Sequence, residues 1–330
     1  MTDVDESPGR WRPGVRRSRG LANAELALLA AMVALPAISR NTFLVDRIGG
    51  FFLLAVFAMS VDLIWGYGGL FTFGHAAFFG GAGYLVGILT TREGWILPLP
   101  LAWALGAAVL GSALLAIGIS YFTFSGKGAL RGVEFAVVTL AVAVVLERLA
   151  NAGGQVTGGQ NGILMTVRLG PFHRGYGFYL LAGLLLLGTY LSLKRFLRSR
   201  PGLVFRGLGE NEERVGLLGY DVPRIKRWTF VLSGAIAGLA GSLFYIHSGI
   251  VSPAAVGVGS STLVLLWVVL GGRGTLIGPV VGAIGLPYLT ARLSGTLLDT
   301  WLVVVGVILV GVILLIPAGV FGFLGKERAT

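Results

Sequence analysis

Cysteine is absent from the 330 residues, which excludes disulfides, thiolate metal sites and cysteine nucleophiles. Charge is scarce: 12% of residues carry one, against about 25% in soluble domains. The 15 acids and 3 histidines leave little material for paired catalytic carboxylates or a His-rich metal cluster. No stretch reads G-x-S-x-G or H-E-x-x-H. The nucleotide-binding pattern G-x-x-x-x-G-K-[ST] is also missing: Gly126-Lys127 has neither the upstream Gly nor the following Ser or Thr. The chain has no means of its own to hydrolyse ATP, and no metal or cofactor site is expected.

Apolar sequence fills the space. Hydrophobic residues make up 55% of the chain and the mean hydropathy is +0.83. Several apolar runs reach the roughly 20 residues that cross a bilayer, and none has the strand period of a barrel. The expected fold is all-α: a polytopic membrane protein of about ten transmembrane helices, with spans at 21–38, 46–65, 74–91, 98–121, 132–150, 177–194, 226–247, 258–271, 275–291 and 299–317. The 53 glycines suit close helix packing and broken helices. The layout expected is a basic leader at 1–20, a transmembrane domain at 21–320 with a polar loop near 195–226, and a tail at 321–330. The first span follows a basic leader, as a signal peptide would. Its apolar stretch is longer than a typical signal core and no A-x-A site follows, so it is read as an uncleaved helix.

The net charge of +11 reflects orientation. With Met1 placed inside, 19 of the 26 basic residues fall in inside loops, nine of them between Lys194 and Arg227. That asymmetry is the positive-inside rule. It puts both termini on the cytoplasmic side and argues against a nucleic-acid role.

Three segments stand out. Gly66–Tyr84, GYGGLFTFGHAAFFGGAGY, is dense in glycine, which weakens a helix by about 1 kcal/mol per interior position. Irregular backbone survives in a bilayer only where it is buried or lines a watery cavity. The segment therefore reads as a break lining a solute path, or as a tight packing face. His75 within it reads as a hydrogen-bonded structural residue or a proton relay. The loop Asn151–Gly162, NAGGQVTGGQNG, offers amides, Gln160 and Asn161 among them, that could grip an uncharged or zwitterionic solute; the alternative is an external turn. Gly271–Gly285, GGRGTLIGPVVGAIG, repeats the glycine-rich style of Gly66–Tyr84 and hints at two related halves. Among intramembrane acids, Asp62 and Glu134 lie near inner ends, where pairing would offset their cost, Glu134 with Arg131 and Lys127. Glu147 and Arg148 lie near an outer end.

The polar stretch Arg206–Gly241 is set between apolar runs. Gly209–Leu218 is expected to form a short helix, with Glu210, Glu212 and Glu213 in its first turn at the positive dipole end. Arg214 stands four residues after Glu210, a favourable pair. Val215 and Leu218 are expected to share a face that enters an apolar groove of another protein, and Gly219 fits a left-handed helix end.

Five blocks in order, GYGGLFTFGHAAFFGGAGY, GVEFAVVTLA, TGGQNGI, GENEERVGLLGYDVPRIKRWTFVLSGAIAGLAG and LLWVVLGGRGTLIGPVVGA, resemble the M-type (LivM-like) permeases of bacterial branched-chain amino acid ABC importers. They run from about Phe51 to Phe321, nearly the whole chain. The urea and short-amide branch of the family is also similar, through GGRGTLIG and VDLIWGY. The resemblance implies a permease subunit, not an enzyme. Its expected partners are a sister permease, two cytoplasmic ATP-binding subunits and a periplasmic or lipid-anchored substrate-binding protein, and it needs no cofactor. It implies that Glu210, Glu212, Arg214, Val215, Leu218 and Gly219 dock on the ATPase, and it draws Gly74, His75, Thr139, Gln160 and Asn161 to the translocation path. One departure is FTFGHAA at Phe71–Ala77, where the family more often has Ser-Leu or Ser-Phe before Gly-His; the expected consequence is a lost hydroxyl. An ion-coupled secondary transporter would need charged coordination near the membrane midplane, and the acids here sit near span ends. A passive facilitator would not need the charged segment at 203–220.

Overall fold

The computed structural model describes residues 41–91, 99–125 and 132–296, with Gly306, Val307, Val310, Gly311 and Gly319 beyond them. Among these residues the regular structure is helical apart from one two-residue strand pair. The longer helices are α1 (Thr42–Asp62), α2 (Ala76–Thr90), α3 (Leu101–Phe124), α4 (Val133–Ala152), α5 (Gly175–Arg198), α6 (Arg200–Glu210), α7 (Glu212–Leu217), α8 (Val222–Ser248), α9 (Val258–Gly271) and α10 (Ile277–Thr296). Eight expected spans coincide with α1–α5 and α8–α10, the edges shifting by a few residues. The first expected span, most of the last, and the partners proposed for Glu134 lie outside the described residues. Counting from Pro253 for α9 and to Tyr67 for α1, five helices among the described residues are long and apolar enough to cross a membrane; α2 is apolar but shorter.

Helix α1 is apolar on all faces and accordingly lies at the centre, buried almost continuously from Phe52 to Asp62. A Cβ on Gly49 would meet the Phe178 ring and the backbone of Tyr179 in α5. Phe52 and Tyr179 pack with ring centroids 5.2 Å apart. On the other side α8 crosses α2 and α3 through small residues. Ala104, Ala108, Ser112 and Ala116 form the buried stripe of α3, spaced four apart so that they stack on one helix face. Ser112 and Ala116 meet Gly238 and Gly234 of α8, where a Cβ would collide with them. Lipid tails are as apolar as leucine, so such close contacts, rather than water-driven burial, hold membrane helices together. The outer faces of α3 and α4 stay open, with Leu110, Leu114, Ile117 and Phe122 on one and Val133, Val137 and Val145 on the other exposed.

Two interruptions shape the centre. Helix α1 continues as a π-helical turn, Leu63–Tyr67, and the chain then runs without regular structure to α2. Helix α9 ends at Gly271 and the chain turns through Gly272, at φ 114, and Leu276, at φ 58, before α10. Both glycine-rich runs are thus helix–break–helix junctions, and they touch: a Cβ on Gly66 would reach the backbone nitrogen of Gly274. After α4 the chain makes a helical turn at Gly154–Thr157, and strand β1 (Ile163–Leu164) then pairs antiparallel with β2 (Ile250–Val251), Ile163 opposite Val251.

Candidate functional site

The break between α1 and α2 cannot satisfy its own backbone, so side chains from other helices do so. Thr139 of α4 accepts from the Phe73 amide at 3.2 Å and donates to the Ala136 carbonyl at 2.9 Å. Ser261 of α9 accepts from Ala76 N–H at 3.1 Å. Thr72 accepts from Gly74 N–H at 3.2 Å. The hydroxyl expected to be lost from FTFGHAA is therefore present, supplied by Thr72 one residue before Phe73. Gly74 lies against the Thr139 carbonyl so closely that a Cβ there would collide with it.

His75 is fully buried, its ring edge-on to Phe78 with centroids 5.2 Å apart. Its Nε2 lies 2.8 Å from Ser233 Oγ, and that hydroxyl donates to the Ser60 carbonyl at 2.6 Å. A hydroxyl has one proton to give, so His75 Nε2–H is the donor to Ser233. Nδ1 then carries a bare lone pair with no partner. One hydroxyl of α8 thereby joins α1 to the break. Among the described residues no second titratable group is bonded to its free nitrogen, an arrangement that fits the structural reading of His75 better than a proton relay.

Asp62, also fully buried, ties the two breaks together. Its carboxylate accepts from Gly274 N–H at 2.6 Å and Leu276 N–H at 3.2 Å. The guanidinium of Arg273 lies over Trp65, 5.3 Å from the ring centroid. The pairing anticipated for Asp62 is met by backbone amides more than 200 residues away in sequence.

The polar elbow formed by α6 and α7 packs against the same π-helical turn. A Cβ on Gly68 would fall on the Phe205 ring, and one on Gly209 would strike the Tyr67 carbonyl. Arg206 stands over the Tyr67 ring, 5.4 Å from its centroid. The expected single helix Gly209–Leu218 is interrupted. Asn211 is extended (φ −157, ψ 101) and its Oδ1 accepts from Arg214 N–H at 2.9 Å, the preferred job of an N-cap asparagine. Glu210 therefore closes α6, while Glu212 and Glu213 occupy the first turn of α7. The break removes the i,i+4 geometry of Glu210 with Arg214. The pair that forms instead is Glu212 with the buried Lys226 of α8, at 2.6 Å. Gly219 does adopt the left-handed conformation, at φ 83. Val215 and Leu218 do not share an open face. Val215 is 7% exposed and packs beside Gly207, whereas Leu217 and Leu218 are 84% and 71% exposed, with Tyr220 open beside them.

Gly74, His75 and Thr139 are thus brought together. Gln160 and Asn161 are exposed in the loop after α4. That loop is folded rather than loose: a Cβ on Gly162 would strike the Val251 carbonyl. Sequence reasoning missed Ser233, Ser261 and Lys226. Serine in an apolar helix is a signal of interhelical bonding, and Ser233 opens a run of small residues, SGAIAGLAG. A lysine four residues into a long helix, Lys226, was equally visible.

Apolar helices around two interrupted ones, with the breaks held by buried hydroxyls and one carboxylate, define a polytopic membrane permease. A family model described as "Branched-chain amino acid transport system / permease component" matches residues 43–313, and the chain belongs to that family. It is 30% identical, over 78% of its own length and 65% of the relative's, to the high-affinity branched-chain amino acid transport system permease protein LivM of Escherichia coli K12. The LivM of Salmonella typhimurium LT2 is 29% identical over the same shares. LivH of Escherichia coli K12 is 32% identical over 40% of this chain and 43% of its own length. The chain thus spans 65% of the length of its LivM relatives. No solved structure matches it.

Proposed function

We propose that this chain is the membrane-embedded permease subunit of an ATP-driven importer of branched-chain amino acids. The observation that carries the reading is the match to LivM over 78% of the chain. The likeness to LivH over a shorter stretch supports a pair of related permeases, so the sister subunit would be a second member of the family. ATP hydrolysis would fall to two cytoplasmic subunits and solute capture to a separate binding protein, since this sequence carries no nucleotide-binding motif. In this reading ten spans place both termini in the cytoplasm, with the leader at 1–20, the permease domain at 21–320 and the tail at 321–330. The same topology puts the α6–α7 elbow in the cytoplasm and the loop bearing Gln160 and Asn161 outside.

The packing supports one mechanism. Leu217, Leu218 and Tyr220 would enter a groove on the ATPase, with Glu210, Glu212, Arg214 and Gly219 shaping the elbow and Val215 fixing it to its own chain. Movement of α6 would push on Tyr67 and Gly68 through Phe205, Arg206 and Gly209. The break from Gly68 to His75 would then shift against Thr139, opening or closing the path beside it.

The full chain, purified from its native membrane, is expected to bring down two ATP-binding subunits and a second permease. The complex in proteoliposomes, supplied with its binding protein, is expected to take up leucine only with ATP inside the compartment where the elbow lies. Uptake by the chain alone, or driven by an ion gradient, would sink the proposal. Uptake of urea or a short amide in place of leucine would overturn the substrate assignment alone.

A further inference from the structure

A groove of about 500 Å³ runs between the C-terminal end of α3 and the N-terminal end of α8, lined by Ile117, Ser120, Tyr121, Asp221, Arg224, Arg227, Trp228 and Val231. Its size lies within the roughly 300–1,000 Å³ of small-molecule sites. Its lining is graded along the helix axis. Arg224 and Arg227, three apart on α8, share one face and stand at the polar end. Trp228 and Tyr121, 66% and 62% exposed, form the next level. Val231 and Ile117 line the apolar end. At 1.5 Å per residue the step from Arg224 to Val231 is about 10 Å, the scale on which a membrane passes from headgroup to acyl chain.

Neither guanidinium has a hydrogen bond or ion pair among the described residues. Nearby charges are otherwise engaged. Asp221 turns its Oδ1 to the Arg224 amide at 3.1 Å as the cap of α8. Lys226 faces away, bound to Glu212 at 2.6 Å with its ammonium 5.6 Å from the Phe124 ring centroid. Ser120 donates to its own helix, to the Ile117 carbonyl at 2.9 Å. The groove therefore presents two unpaired cations against one capping carboxylate, then an aromatic belt, then an aliphatic floor. Tryptophan and tyrosine collect at the headgroup level of bilayers, and basic pockets between membrane helices bind anionic headgroups.

We propose that this groove binds one anionic phospholipid, its phosphate held between Arg224 and Arg227 and its first acyl methylenes laid along Trp228, Val231 and Ile117. The site would fix the α3–α8 pair beside the elbow, because Lys226, which holds α7 through Glu212, lies on the same helix turn. The inference needs only that α3 and α8 span a membrane; it does not depend on which solute is carried.

The test is native mass spectrometry of the full chain released from detergent, titrated with phosphatidylglycerol or phosphatidylcholine of equal chain length. One phosphatidylglycerol is expected to stay bound in preference to phosphatidylcholine. Each Arg→Gln change at 224 or 227 should weaken retention about five-fold, and both together about twenty-five-fold. The double variant R195Q/R198Q, with the same loss of charge at the end of α5, should keep the preference. The variant R224K/R227K keeps both charges and should keep most of it, which separates lost binding from lost folding. The proposal is overturned if phosphatidylglycerol and phosphatidylcholine bind alike, or if R224Q/R227Q binds as the parent does. It is equally overturned if inorganic phosphate displaces the lipid, or if a photoreactive residue at Trp228 crosslinks to a protein instead of lipid in native membranes.

Discussion

Replacing Asp62 with asparagine tests the tie between the two breaks most directly. The side chain keeps its shape, so no cavity forms and any loss is electrostatic. Asp62 accepts two backbone N–H groups, one on each oxygen: Gly274 at 2.6 Å and Leu276 at 3.2 Å. Asparagine offers one acceptor oxygen and, on the other side, an NH₂ that faces an N–H donor. One amide is therefore orphaned in a fully buried place, at a cost of about 1–3 kcal/mol, while the surviving bond loses its charge assistance. The sum should be about 2–4 kcal/mol. Leu276 is the amide expected to lose its partner, because its bond is the longer and its φ of 58 needs support that a β-carbon-bearing residue does not supply for itself.

The assay is thermal unfolding of the purified full chain in detergent, followed by the fluorescence of Trp65, Trp267 and the other tryptophans. Asp62→Asn should unfold several degrees below the parent. Gly66→Ala attacks the same contact from the other side, since its Cβ would press on Asp62 Oδ1 and the Gly274 nitrogen, and should lower the midpoint comparably. If both variants unfold with the parent, the carboxylate bridge is not what holds the breaks together.

Ser233→Ala should destabilise the protein by about 1–3 kcal/mol, because it strands His75 Nε2–H; adding His75→Leu removes the stranded donor and should recover part of the loss, and a double variant worse than the sum of the singles would refute the assigned tautomer. Gly74→Leu should prevent folding outright, since even a Cβ meets the Thr139 carbonyl; a variant that assembles normally and only loses uptake would contradict that contact. Leu217→Asp with Leu218→Asp should abolish substrate-stimulated ATP hydrolysis in the reconstituted complex while the chain still folds, whereas Val215→Asp should reduce folded yield; normal stimulation in the first variant would rule out the docking role. Single cysteines at Leu218 and Gln160, both exposed, should react with impermeant reagents from opposite sides of the membrane, and labelling of both from one side would overturn the proposed topology.

The helices were legible because a bilayer imposes length and apolarity on every span, and runs such as Phe51–Ile64 admit little else. The break at Gly66–His75 was legible for the complementary reason, that so many glycines cannot hold a helix against water or lipid. What escaped was anything decided by a partner far along the chain. Thr72 is a different case: it stands at the serine's own position, two residues before Gly74, so its hydroxyl was legible from residue type and was overlooked, and its bond to Gly74 N–H shows what it does. Asn211 is a strong cap candidate by type. Reading one helix through it placed Glu210 and Arg214 on a shared face that the extended Asn211 backbone abolishes. Val215 and Leu218 do lie three apart, as a helical face requires. Which face is covered was settled by α6, through Gly207, and no local pattern could report that.

The breaks, the hydroxyls and the elbow form one physical system. Between Gly68 and His75 the backbone lacks the repeating bonds of a helix interior, so its shape is set by single contacts from Thr139, Ser261 and the Ser233–His75 pair. Each such bond contributes about 0.5–1.5 kcal/mol net. Exchanging two or three of them costs far less than unwinding a span, whose freed amides would face hydrocarbon at several kcal/mol each. The elbow grips the same stretch through Phe205, Arg206 and Gly209. In the proposed mechanism a push on the elbow would therefore meet its least resistance in the break, and the displacement would reach Thr139 and His75. Stiffening the break without filling it separates this account from one in which α8 moves as a whole. Gly69, at φ 69, is where to test it: Gly69→Ala strains the backbone there, and its Cβ, 3.3 Å from Gly209 Cα, needs only a small shift. Uptake and stimulated ATP hydrolysis should fall together in Gly69→Ala with the fold intact, and unchanged coupling would show that force travels along α8 instead.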